Sequence, residues 1–335
     1  MVQKNSSINI FVLLASLVVI LAGIKVASSV VVPFIFSIFI AIILWPMIQI
    51  LHHRGLAQSL SVFVVIVLFF LFLMGVMMMF GSSAKSFTHN LPQYEGQLQI
   101  QFKHAVAYLN NYGIDIPHEN LLSSFDPSKV MKYVVQFLNG LGGLITNGFV
   151  ILLIVIFMLA ETPHLKKLLS TNSTASAQMV EIMQKIKHYM ALKALISLFT
   201  GVIISIALSI LGLDYPILWG ILAFLLNFIP NIGSIIAAVP AVLLALVQLG
   251  FVEALIVSAI FVSVNIGIGS VLEPKIMGKG VGLSSLVVFL SLIFWGWLLG
   301  LVGMFLSIPL TIILKIVLAS KQETKFFAEL LGSSS

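Results

Sequence analysis

The 335-residue chain is 60% hydrophobic and only 8% charged, with a mean hydropathy of +1.17 and a net charge of +6. Such a composition excludes a water-soluble globular domain and describes a polytopic integral membrane protein, all-α by the lengths of its apolar runs. The basic residues lie in loops, where they report orientation and not nucleic-acid binding, and the absence of cysteine excludes disulfides, thiolate catalysis and cysteine metal sites.

In chain order, residues 8–27 form an apolar run behind Lys4 that is long for the core of a cleaved signal. Val26-Ala27-Ser28 is a weak cleavage match, and a second run at 30–50 follows at once, so a helix pair is the reading. Pro33 falls in the first turn of the second helix, Trp45-Pro46 reads as an interfacial anchor with a kink, and His52-His53-Arg54-Gly55 is the turn. A third span at 58–80 completes an N-terminal transmembrane region, 1–81.

Residues 82–143 have the composition of an extracytoplasmic amphipathic helical insertion. Leu98, Phe102, Val106 and Leu109 recur at helical spacing, and a second helix with Val130, Val134 and Leu138 on one face is expected from Asp126-Pro127 to a stop at Asn139-Gly140. A transmembrane helix at 144–161 ends at Glu161-Thr162-Pro163. Residues 162–193 form a basic amphipathic segment, cytoplasmic by the positive-inside rule, with Lys166, Lys167, Lys185, Lys187 and Lys193. Its stripe of Met179, Ile182, Met183, Ile186 and Met190 is read as a packing face resting on lipid and not as a ligand groove.

The next run, 217–249, contains Asn227-Phe228-Ile229-Pro230-Asn231-Ile232-Gly233-Ser234, which breaks a helix that lipid would otherwise require to be continuous. Residues 217–229 make roughly 20 Å of helix against a hydrocarbon core of about 30 Å, so a broken hairpin that enters and leaves on one face is expected. A second broken hairpin is expected at 281–319, where Gly303 followed by Pro309 echoes Gly233 followed by Pro240, with Gly296 and Gly300 as further candidate hinges. Crossing helices precede both, giving repeat units at 194–250 and 251–319 and a cytoplasmic tail at 320–335. Each unit crosses an odd number of times, so the fold class is a membrane protein with crossing helices and two re-entrant hairpins in an inverted repeat, both termini cytoplasmic. The run 298–319 is itself long enough to span, which leaves open whether it is an arm or a crossing.

A small polar solute suits this arrangement, because Asn227, Asn231 and Ser234, with Pro230 and Gly233 shaping the break and Asn265 in the next crossing helix, offer hydrogen bonds without net charge. Each amide or hydroxyl could instead cap a half-helix or bond a neighbouring helix. Glu273 is the candidate coupling-ion residue, weighed against a plain ion pair with Lys275 or Lys279. No cofactor or metal site is expected, and the seven histidines fall in loops or at ends, without a His-Glu-x-x-His motif, so an enzyme is not the reading. A membrane scaffold would not require two matched breaks, and a channel would favour a continuous polar stripe that the sequence does not show.

The stretch 227–234, then Glu273-Pro274-Lys275-Ile276-Met277-Gly278, then the run from Gly282 to Pro309 together resemble the autoinducer-2 exporter family of bacterial membrane proteins. Val32-Pro33-Phe34, Leu91-Pro92-Gln93-Tyr94 and His188-Tyr189 fit the same layout, whereas Trp45-Pro46 stands where the family pattern has Asn-Pro. The resemblance implies export of the quorum-sensing signal autoinducer-2 across the inner membrane, with proton or sodium coupling open. It also implies a homo-oligomer, taken as a pentamer, embedded in the lipid bilayer. Monovalent cation/proton antiport is the alternative within the same family.

Overall fold

The computed structural model describes residues 3–111, 127–146, 148–169, 174–230, 232–277, 282–320 and 322–332. Among these every regular element is helical apart from one isolated bridge, Leu283 to Gly332. The helices are α1 (Gln3–Val26), α2 (Ser28–His53), α3 (Gln58–His89), α4 (Leu91–Asn111), α5 (Pro127–Thr146), α6 (Gly148–Leu169) and α7 (Thr174–Leu211). They continue with α8 (Pro216–Leu226), α9 (Gly233–Gln248), α10 (Phe251–Val264), α11 (Glu273–Met277), α12 (Ser285–Phe305), α13 (Ser307–Ala319) and α14 (Lys325–Leu330). A π-helical stretch, Asn265–Leu272, joins α10 to α11 without a break.

Among the described residues five helices are long and apolar enough to cross a bilayer: Ser28–His53, Gln58–His89, Val180–Leu211, Phe251–Ile276 and Ser285–Phe305. Their exposed faces carry Phe63, Leu71, Phe199, Ile210 and Phe289, side chains that lipid accepts and water does not. The chain is therefore a polytopic all-α membrane protein.

Several helices run further than their composition predicts. α3 continues past Phe80 to His89, α5 passes through Asn139-Gly140 to Thr146, and α6 passes Pro163 to Leu169. Composition marks where the bilayer ends, whereas a helix ends only where its backbone finds a cap, and one interior glycine costs only about 1 kcal/mol. The expected basic segment and the crossing that follows are likewise one helix, α7, of 38 residues. α5 does begin at Pro127, with Val134 and Leu138 buried, while Asp126 and the side chains of Phe102, Val106, Leu109 and Val130 lie outside the description.

The chain divides into two compact units, one of residues 1–65, 149–191 and 280–335, the other of 66–148 and 192–279. In the second unit α9 packs on α8, α10 and α4, with Leu218, Trp219, Leu222, Ala237, Ala241 and Ala245 at or near zero exposure. Gly201 of α7 and Gly220 of α8 let these helices touch at the backbone: a Cβ on Gly201 would lie 2.6 Å from the Gly220 carbonyl oxygen. In the first unit α12 packs on α13, α2 and α1. Ser37 ties α2 to α6 by donating to the Ile151 carbonyl at 3.1 Å.

Candidate functional site

The first hairpin breaks where the sequence predicts. α8 has 11 residues and α9 has 16, about 16 and 24 Å, so neither arm spans a core of about 30 Å. Between them the chain turns through Asn227 to Ile232, with Ile229 N–H donating to the Leu226 carbonyl at 2.8 Å and Gly233 N–H to the Ile229 carbonyl at 3.3 Å. Gly233 is required here because a Cβ would run into the Leu226 carbonyl, far inside van der Waals contact. Pro240 lies buried inside α9, which continues through it, so it is not a break.

At this turn the second unit contains a narrow cleft, lined among others by Thr200, Asn227, Ser234, Asn265, Ile268 and Gly269. The portion wide enough to admit the centre of a water molecule is only about 10 Å³, room for about one water. Among the described residues no charged side chain lines it. Three of the six expected solute-binding residues thus meet: Asn227, Ser234 and Asn265. Pro230 and Gly233 shape the turn without lining the cleft, and Asn231 lies outside the described residues.

The polar groups differ in how far they are already engaged. Asn227 Nδ2 donates to Ser197 Oγ at 3.0 Å, docking the turn on α7, and Thr200 Oγ1 donates to the Ile196 carbonyl at 3.0 Å. Neither Ser234 nor Asn265 makes a side-chain hydrogen bond among the described residues. Asn265 opens the π-helical stretch, and its Oδ1 lies 3.1 Å from where Gly269 would carry a Cβ, so the missing methyl leaves room for the amide along the wall.

Glu273 follows one π stretch below the cleft. Among the described residues its partner is not Lys275 but Lys193 of α7, whose Nζ donates to both carboxylate oxygens at 2.7 and 2.9 Å; Lys279 lies outside the described residues. Lys193 is 4% exposed. Reading 162–193 as a surface segment conceals it, yet it continues a stripe of Ile186, Met190, Ser197, Thr200, Ile204 and Leu208 along the buried face of one helix. That spacing of three and four was the available signal.

A polar and aromatic cluster fastens the opposite end of the first hairpin to the corner of α3 and α4. Tyr94 donates to Asp214 Oδ2 at 2.9 Å and lies 3.3 Å from the Tyr215 hydroxyl, to which Asn90 Nδ2 donates at 2.8 Å. Phe87 stacks on Tyr94 and meets Tyr215 and Trp219 edge-on. Tyr215 adopts a left-handed φ of 58°, and Gln248 closes the mouth by accepting from Asp214 N–H at 2.9 Å. Burial first, then the hydrogen bonds to Tyr215 and Asp214, hold the Tyr94 phenol above its ordinary pKa.

The second hairpin, described within its own unit, turns at Gly300, whose φ of 67° and ψ of −148° suit glycine alone. Pro309 is in the first turn of α13, where proline is tolerated, and Gly296 and Gly303 are helical, so Gly300 is the break. Gly303 repeats the role of Gly233: a Cβ there would run into the Trp295 carbonyl. Gly296 packs against Met304, and Trp295 Nε1 donates to Thr311 Oγ1 at 3.0 Å across the two arms. Lys25 of α1 donates to the Trp297 carbonyl and lies over its ring, 5.0 Å from the centroid, placing a cation where the first arm ends.

Comparison with known proteins finds related sequences along nearly the whole chain. The family model described as AI-2E family transporter matches residues 14–323. A protein of Haemophilus influenzae named "Putative transport protein" is 42% identical over 95% of this chain and 94% of its own. The AI-2 transport protein TqsA of Escherichia coli K12 is 39% identical over 98% of this chain and 96% of its own, and the protein named "Putative transport protein YhhT" of the same organism is 35% identical over 98% and 95%. A match that runs through nearly every helix, with both hairpins inside it, makes the chain a member of the AI-2E transporter family.

Proposed function

We propose that the chain exports a small, neutral, polyhydroxylated solute of the autoinducer-2 kind across the bacterial inner membrane, using the cleft at the first hairpin break. The observation that carries this reading is the pairing of Ser234 with Asn265 in an uncharged cleft, both free of side-chain hydrogen bonds among the described residues. Such groups can trade hydrogen bonds with hydroxyls at little desolvation cost. Asn265 lies 14 residues into a helix beginning at Phe251, roughly 20 Å along its axis, so the cleft falls well within bilayer depth. The relative TqsA, an AI-2 transport protein by name, supplies the solute class.

The cleft is too narrow for such a solute, so transport needs an open form, reached by movement of the hairpins against the crossing helices. In this reading the hairpins are re-entrant and related as an inverted repeat, both termini are cytoplasmic, and the assembly is a homo-oligomer, a pentamer. A proton gradient drives uphill export.

The test is uptake of autoinducer-2 into inverted membrane vesicles containing the protein, with and without an imposed proton gradient, beside Ser234→Ala and Asn265→Ala. Accumulation in the wild type, reduced at least ten-fold in each variant at equal protein level, is the expected result. Accumulation that both variants retain removes the cleft from the mechanism. Absence of solute uptake together with a cation-dependent change of internal pH turns the assignment to antiport.

A further inference from the structure

We infer that Lys193 and Glu273 form the gate that closes the cleft on the side away from the hairpin mouth. This rests on the cleft being the transport route. Lys193 lies one helical turn beyond Ser197, where Asn227 docks the broken hairpin, and about 10 Å along α7 from Thr200 in the cleft wall. Glu273 lies one turn beyond Gly269 on the facing wall. The two walls are therefore joined directly beneath the cleft by an ammonium held between two carboxylate oxygens.

Two charges placed inside candidate spans are expensive, and an apolar pair of similar volume holds helices together as well or better. What an ion pair adds is reversibility. It closes tightly while dry and loosens when water or a hydroxylated solute reaches it, whereas an apolar contact gains nothing from hydration.

The wall that carries Glu273 also has the means to move. All eight residues from Asn265 to Leu272 are π-helical, a winding proteins use sparingly and often at functional sites. Rewinding part of this stretch to α geometry rotates Glu273 about the helix axis relative to Asn265. One local change then withdraws the carboxylate from Lys193 and re-aims the amide that faces the solute.

The absence of native cysteine makes the gate directly measurable. A single Thr200→Cys reporter in the cleft is treated with a charged, membrane-impermeant thiosulfonate in inverted and in right-side-out vesicles. With the pair intact, labelling from the face nearer Lys193 is slow. In the double variant Lys193→Ala with Glu273→Ala, which removes both bridging side chains and leaves no unpaired buried charge, labelling from that face rises at least ten-fold. The exchanged pair Lys193→Glu with Glu273→Lys restores slow labelling. Fast labelling from that face with the native pair, or an unchanged rate in a double variant that elutes as a single species, overturns the gate. Because no solute is involved, failure of solute uptake in the vesicle assay leaves this result standing, and each reading fails separately.

Discussion

At the scale of single residues, glycine and lysine decide more than the polar groups that first draw the eye. Gly233 and Gly303 each sit where a side chain would meet a backbone carbonyl of the preceding arm, and a backbone cannot step aside as a flexible side chain can. Gly233→Ala and Gly303→Ala are each expected to cost at least about 1–3 kcal/mol, read as a lower melting temperature by tryptophan fluorescence in detergent. Gly23→Ala, whose new methyl meets nothing within 4 Å, serves as the control and should stay within about 0.5 kcal/mol of the wild type. Asn227, Ser234 and Asn265 were legible as polar residues in apolar runs. Lys193 was not, because its letter matched the basic residues before it, and only an uninterrupted helix turns it inward.

At the scale of elements, the break of the first hairpin could be read from Pro230 and Gly233, but its anchorage could not. Tyr94, Asp214 and Tyr215 are about 120 residues apart in sequence for the Tyr94 contacts, and no local pattern announces such a meeting. The cluster predicts a pH effect of definite sign. Folding raises the Tyr94 pKa, so its contribution to stability is complete below the ordinary phenol value of about 10 and is lost progressively as pH rises above it. Melting temperature measured against pH should fall more steeply above about pH 10 in the wild type than in Tyr94→Phe. The substitution itself should cost about 1.5–3 kcal/mol at neutral pH, since the hydroxyl donates to a carboxylate. Identical alkaline slopes in the two proteins would remove Tyr94 from the anchorage.

At the scale of the whole molecule, composition and the spacing of apolar runs were enough for the class and for the first break, while the second turns at Gly300 and not at Gly303 or Pro309. They were not enough for the grouping of elements. The crossing helix α10 with its π extension belongs to the compact unit that holds the first hairpin, whereas α12 and α13 belong to the other, so a division of the sequence at 250/251 is not the division of the packing. Sequence repeats report how a chain was assembled, and packing reports which faces bury one another; the two need not coincide. The proposed topology predicts that reporter domains fused before Gln3 and after Leu331 are active on the same, cytoplasmic, face. Opposite faces would require 298–319 to be a full crossing.

The narrowness of the cleft has an electrical consequence. A proton crosses a protein most readily along an unbroken file of hydrogen-bonded water, and a cavity with room for about one water cannot contain such a file. On the proposed transport route the first hairpin would therefore act, in this conformation, as an insulator as well as a solute barrier. If that route is the only one, many copies of such a protein could rest in an energised membrane without draining the potential that the membrane stores.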